Sequence, residues 1–163
     1  MSEETHGEGQ GGGCLFCKII SGEIPSKKVY SDENIFSFLD INPRNPGHAL
    51  VIPKKHYTTI LDMPGREVGK LFEGVRMVAS AVKNGSSADG LSIVQSNGKA
   101  AGQVVTHVHV HIIPRYMSEG PISLEGVMSV KKMPEEVLDK MVTAIKAKIG
   151  SSAGSSGEPK FDF

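Results

Sequence analysis

Residues 106 to 115 read Thr106-His-Val-His-Val-His-Ile-Ile-Pro-Arg115. In extended backbone successive side chains point to opposite faces. The alternation predicts a strand over Val104–Ile113, with His107, His109 and His111 on one face and Val108, Val110 and Ile112 on the other. The apolar row belongs against a core. The imidazole row then faces solvent or a ligand. Imidazoles packed in a row would repel one another on charging, so a purely structural reason for three of them is poor, and the row points to chemistry.

Around this strand the pattern mixes strands and helices. Val29-Tyr30 and Ile35–Leu39 read as two short strands around the turn residues Ser31, Asp32, Glu33 and Asn34. Ala49–Ile52 reads as a buried strand stopped by Pro53, and Leu91–Gln95 as another. Val68, Leu71, Phe72, Val75, Val78, Ala79 and Val82 recur at helical spacing and predict an amphipathic helix over Arg66–Asn84, with Gly85 as its C-cap. Pro134 opens a second helix, whose positive end suits Glu135 and Glu136. Val137, Leu138, Met141, Val142, Ile145 and Ile149 supply its apolar face, and Gly150 ends it. Two long helices separated by groups of strands predict an α+β domain with an antiparallel sheet; a doubly wound sheet needs more alternating helices.

Composition narrows the function classes. The chain has 163 residues, one domain's length, and 18 Lys+Arg against 18 Asp+Glu, so its formal charge is zero. With no basic excess to neutralise a phosphate backbone, a general nucleic-acid binder is disfavoured. No apolar run approaches the roughly 18–20 residues needed to span a bilayer. The acidic, glycine-rich N-terminus has no apolar core and does not read as a secretory signal. The expectation is a soluble cytoplasmic protein with no nucleic-acid or membrane partner. Residues 1–13, with five Gly and three Glu, and residues 151–163 read as flexible tails around a domain at 14–150. The two cysteines, Cys14 and Cys17, are spaced C-x-x-C, which is half a zinc site or a redox pair. Their place beside the tail, rather than between a strand and a helix, argues against redox.

The His107–His111 segment resembles the H-x-H-x-H signature of the histidine triad (HIT) superfamily. Further stretches fall in that family's order: Cys14-Leu-Phe-Cys-Lys-Ile-Ile-Ser-Gly-Glu-Ile-Pro25, Phe38-Leu-Asp-Ile-Asn-Pro43, Gly47-His48, Val51-Ile-Pro-Lys-Lys-His56, Ser96-Asn97-Gly98 and Gly102-Gln103. The resemblance covers about residues 14–117 and is closest to the Hint branch, whose members are phosphoramidase-like.

The resemblance implies a role for each matched residue. His109 matches the nucleophile, which attacks an α-phosphate to give a nucleotidyl-histidine that water resolves to a nucleoside monophosphate. Independently, a neutral imidazole is a good nucleophile at pH 7 when a backbone carbonyl holds its other N–H. His111 and the backbone after Gln103 would hold the phosphate oxygens, Asn97 and Gln103 match polar residues of the same site, and His48 would orient the nucleophile. Asp40 matches the acceptor for the ribose hydroxyls. Phe16, Ile19, Ile24, Phe38 and Ile41 match the apolar pocket around the base. Cys14, Cys17, His56 and His107 match the zinc ligands of zinc-bearing bacterial and archaeal-type members; two thiolates and two imidazoles suit a closed, structural Zn2+ site. A homodimer joined through a helix and central strands is also implied. The implied activity is a purine nucleoside phosphoramidase releasing AMP. The alternatives are a dinucleoside polyphosphate hydrolase and a nucleotide-binding interaction protein with weak catalysis. One position departs from the pattern: Val104 follows Gly102-Gln103 where the Hint branch often has Ser, so a hydroxyl for the leaving group is missing.

Overall fold

The structure, a computed structural model, describes residues 13–120 and 132–148. The chain divides into two units between Gly120 and Pro121, where the sequence suggested one domain through residue 150. The expected tails lie outside the described residues except for Gly13, as do Ile149 and Gly150. No described helix is long and apolar enough to cross a membrane.

The first unit runs α1 (Leu15–Ser21), β1 (Lys28–Ser31), β2 (Ile35–Leu39), β3 (Ala49–Pro53), α2 (Gly65–Gly85), β4 (Gly90–Gln95) and β5 (Val110–Arg115). The five strands form one antiparallel sheet in the order β1-β2-β3-β5-β4. Asp32 builds the β1–β2 turn: its Oδ1 accepts the amides of Asn34 and Ile35 at 2.7 and 2.8 Å.

The period-two alternation sorts the two faces of the sheet. Ile35 of β2, Ala49 and Val51 of β3, and Val110 and Ile112 of β5 bury against Leu71, Val75, Val78, Ala79 and Val82 of α2. Phe36, Phe38, Leu50 and Ile52 point the other way and pack with Phe16 and Ile19 of α1. His111 alternates with Val110 and Ile112 and so emerges on the α1 side.

Three boundaries differ from the sequence expectation. The last strand starts at Val110, not Val104. Its ladder with β3 stops at the Val51–Val110 pair. Pro53 has no N–H to offer, and its carbonyl accepts from the His107 ring instead. Val108 N–H turns to the Tyr57 carbonyl at 2.8 Å. Secondly, α1 has only seven residues, too few for a helical period to show in the sequence; it ends at Gly22, whose φ of +84° favours glycine. Thirdly, Gly85 is the last residue of α2 and Ser86 is the cap, its Oγ donating to the Val82 carbonyl at 2.6 Å.

In the second unit α3 spans Glu135–Lys146, with Pro134 at its N-cap and both glutamates in its first turn. Its apolar residues Val137, Leu138, Met141, Val142 and Ile145 are all exposed.

The α2 face is close-packed at Gly74. A Cβ placed there would lie 2.3 Å from Ile35 Cδ1 and 3.2 Å from its Cγ1, and Ile35 is fully buried. Gly69, five residues earlier, has open space around it. Gly74→Val therefore lowers stability by about 2 kcal/mol through overpacking. Gly69→Ala raises it by about 0.5–1 kcal/mol through helix propensity. Urea titrations of both variants check this, and equal shifts of the same sign would refute the close approach.

Candidate functional site

Two clusters of side chains meet where the chain enters β5. The first is built on His107. Its Nε2 lies 2.9 Å from the Pro53 carbonyl oxygen, which can only accept, so Nε2 carries the proton and Nδ1 keeps a lone pair. That lone pair faces Cys14 Sγ at 3.5 Å and Cys17 Sγ at 3.6 Å. His56 Nδ1 lies 3.4 Å from Cys17 Sγ. The two thiols come from the start of α1, one turn apart; His56 follows β3. The four ligand atoms lie within 4.8 Å of one another and can hold a metal ion. Burial pushes His107 down to about 4, helped by the neighbouring His56 and His109, so its ring is neutral at pH 7. Burial, with the adjacent Cys14, pushes the Cys17 thiol up to about 11. A metal bound there displaces that proton.

The second cluster lines a cleft of about 620 Å³ on the α1 side of the sheet. His109 is buried, with Phe16 packed edge-on at 5.3 Å between ring centroids. Its Nδ1 lies 2.8 Å from the His107 carbonyl oxygen. Nδ1 therefore carries the proton, and the Nε2 lone pair is left over.

The next two rings are fixed by their hydrogen bonds in the same way. Arg44 N–H donates to His48 Nδ1 at 3.0 Å, so the neutral His48 ring has its proton on Nε2. Nε2 lies 2.9 Å from His111 Nδ1, which must accept. His111 then holds its own proton on Nε2. Burial lowers both rings below the ordinary histidine value. His111, close to His109 and His48, is pushed down to about 4. The row is thus set up as one lone pair on His109 and one N–H donor on His111.

Asp40 sits just past β2. Its Oδ1 accepts the Asn42 amide at 2.8 Å, and its Oδ2 lies 3.6 Å from His48 Nε2 and 3.8 Å from His111 Nδ1. Asp40, Phe16, Ile19, Ile24, Phe38 and Ile41 all line the cleft together with His48, His109 and His111. Ile41 is 88 % exposed and forms part of the rim, not the buried wall.

Asn97 and Gln103 stand apart from that lining. Gln103 is buried, accepts Gly98 N–H at 2.7 Å and donates to the Thr58 and Val105 carbonyls at 2.7 and 3.1 Å. Asn97 accepts Ile60 N–H at 2.8 Å and pairs with the Gln95 amide. Both side chains tie loops together. Sequence reading missed Arg44, which lines the cleft and whose amide sets the His48 tautomer. The available signal was a lone charged residue in the Asn42–Pro46 turn, four positions before His48.

The HIT domain pattern matches residues 21–118. An uncharacterized HIT-like protein of Methanocaldococcus jannaschii is 49 % identical over 133 residues, 82 % of this chain and 98 % of that protein. An adenosine 5′-monophosphoramidase of Candida albicans is 40 % identical over 106 residues, 63 % of this chain and 70 % of that protein. The crystal structure of a Zn-bound histidine triad family protein from Mycobacterium smegmatis superposes with a TM-score of 0.62 at 34 % identity, covering 87 % of this chain and 99 % of that one.

The His111 environment makes stability depend on pH. The folded ring titrates near 4 and the unfolded one near 6.5, so between those values the unfolded chain takes a proton that the folded one refuses. The stabilisation is complete above about pH 6.5 and drops as the pH falls towards about 4. His111→Asn flattens the melting-temperature profile in that window. A variant whose melting temperature falls as steeply as the wild type's would remove His111 as the cause.

Proposed function

The chain belongs to the HIT family, and from that footing we propose that it is a nucleotide hydrolase acting at the α-phosphate of a purine nucleotide through His109. One observation carries the reading. His109 Nδ1–H is held by the His107 carbonyl, so the free Nε2 lone pair belongs to a ring lining the cleft. The lone pair forms a bond to phosphorus as the bond from phosphorus to the leaving group breaks, and the leaving group takes that electron pair. Water then attacks phosphorus, the nitrogen–phosphorus bond breaks, Nε2 recovers its lone pair, and a proton passes to solvent. His111 Nε2–H donates to the phosphate oxygens as charge develops there. Phe16, Ile19, Ile24 and Phe38 sandwich the base, with Ile41 at the rim, and Asp40 accepts from the ribose hydroxyls. Asn97 and Gln103 act by shaping the loop before His107, since their amides are already engaged. Adenosine 5′-phosphoramidate, in keeping with the name of the Candida relative, is the first substrate to test; a dinucleoside polyphosphate is the second.

The metal we assign to Cys14, Cys17, His56 and His107 is zinc. Around tetrahedral zinc, sulfur and nitrogen ligands are about 3.6 Å apart, given bond lengths of roughly 2.3 and 2.05 Å. The three sulfur–nitrogen contacts here are 3.4, 3.5 and 3.6 Å. With four protein ligands the site is closed, so the ion would crosslink α1 to the segments after β3 and before β5. A homodimer remains part of this proposal, and the surface that favours it is β4, an edge strand and not one of the central strands that the resemblance implied, whose Ile93 and Val94 are 51 % and 42 % exposed.

Two outcomes test these proposals. His109→Ala abolishes turnover of adenosine 5′-phosphoramidate while AMP binding persists, and mass spectrometry of the quenched wild type finds the nucleotidyl adduct on His109. An adduct on another residue overturns the assignment. Protein purified without chelator holds one zinc per chain by elemental analysis, and Cys17→Ser loses it and melts at lower temperature. Metal content near zero in the wild type removes the zinc.

A further inference from the structure

We propose that Cys14 and Cys17 form a thiol-redox switch on nucleotide binding: oxidation joins them as a disulfide, dismantles the metal site and loosens the helix that walls the cleft. The proposal rests on the zinc and nucleotide readings above and gives the two sites a shared regulation.

Helix α1 faces both clusters. Its N-cap Cys14 and its third residue Cys17 turn towards His107 and His56, at 3.4, 3.5 and 3.6 Å. Leu15, Phe16 and Ile19, interleaved with them, line the cleft. The Phe16 ring packs edge-on against His107 at 5.9 Å, His109 at 5.3 Å and Phe38 at 5.6 Å between centroids. One ring thus touches a metal ligand, the proposed nucleophile and the apolar floor of the cleft. With seven residues and no side-chain cap, α1 is too short to hold itself. Two ties hold it: the apolar packing of Phe16 and Ile19, and the link from its two sulfurs to the His56 and His107 rings. Losing the second loosens Phe16 in the cleft.

The pair is reachable and placed to close. Both thiols are partly exposed. A hollow of about 410 Å³, lined by Gly13, Cys14, His56, Thr58 and Thr106, shares no lining residue with the cleft, so an oxidant reaches sulfur without entering the nucleotide site. Residues three apart at a helix start bring their Cα atoms within the roughly 4.4–6.8 Å that a disulfide spans. With hydrogen peroxide as the oxidant, one thiolate attacks a peroxide oxygen, the oxygen–oxygen bond breaks and a sulfenic acid forms. The second thiolate attacks that sulfur; the sulfur–sulfur bond forms as the sulfur–oxygen bond breaks. Two electrons pass from the sulfur pair to the peroxide, whose two oxygens leave as water with two protons drawn from solvent. The disulfide offers no thiolate, so the ligand set falls from four groups to two imidazoles and no longer retains zinc. The pair records an oxidation and passes no electrons to a substrate.

The test uses full-length, zinc-loaded protein with AMP as the probe. Stoichiometric hydrogen peroxide releases one zinc per chain to a chromophoric chelator, and mass spectrometry finds a Cys14–Cys17 disulfide. The Kd for AMP rises about tenfold, an ordinary coupling between two sites. A phosphine reductant with Zn2+ restores it, a recovery that methionine oxidation would not allow. In the reduced protein zinc strengthens AMP binding and AMP strengthens zinc binding by the same factor. Cys14→Ser weakens AMP binding likewise and makes it insensitive to peroxide. A disulfide and zinc loss with AMP affinity unchanged overturn the switch while the zinc and nucleotide sites stand. So do oxidised sulfur without a disulfide, and an oxidised protein with no cooperative melt, whose weaker binding is then unfolding. A reduced protein that holds no zinc, or binds no AMP, overturns the reading beneath the switch and the switch with it.

Discussion

His107 Nε2 donates to the Pro53 carbonyl at 2.9 Å from a fully buried ring, and both clusters depend on that bond. It ends the β3–β5 ladder early by occupying the acceptor that the ladder would otherwise use. It fixes the His107 tautomer, which turns the Nδ1 lone pair towards Cys14 and Cys17. It also holds the backbone from which the His107 carbonyl takes the proton of His109 Nδ1. The metal cluster and the reactive nitrogen are thus two consequences of one ring's orientation. A residue without a second ring nitrogen cannot make both connections.

The sheet separates stability from chemistry. On the α2 side its inward residues are nearly all hydrocarbon and meet a helix pressed close at Gly74. On the α1 side the same strands present Phe36, Phe38 and Leu50, then give way to His48, His109, His111 and Asp40. A rigid, apolar support behind a polar row lets buried imidazoles keep fixed tautomers, because one nitrogen of each ring meets a partner that can play only one part. Burial also favours the uncharged form of His48 and His111, which spares the sheet a cluster of like charges.

The sequence by itself determined whatever depends on short-range periodicity. The strands at Ile35 and Ala49, the turn at Asp32, the long helix α2 and the grouping of Val110 and Ile112 against His111 all follow from side-chain alternation or helical spacing. The histidine row and the C-x-x-C pair were legible too, because residue type and spacing carry their chemistry. Tertiary structure decided the rest. Helix α1 is too short to announce itself and forms where Phe16 and Ile19 find Phe38 and Leu50. The strand predicted from Val104 starts at Val110 because Pro53, distant in sequence, has no N–H and gives its carbonyl to His107. The amides of Gln103 and Asn97 are consumed by Thr58 and Ile60. Which nitrogen of each histidine carries the proton was undetermined until Pro53, His107 and Arg44 supplied partners, since a tautomer is set by the hydrogen bond a ring can make and not by the ring's place in the chain.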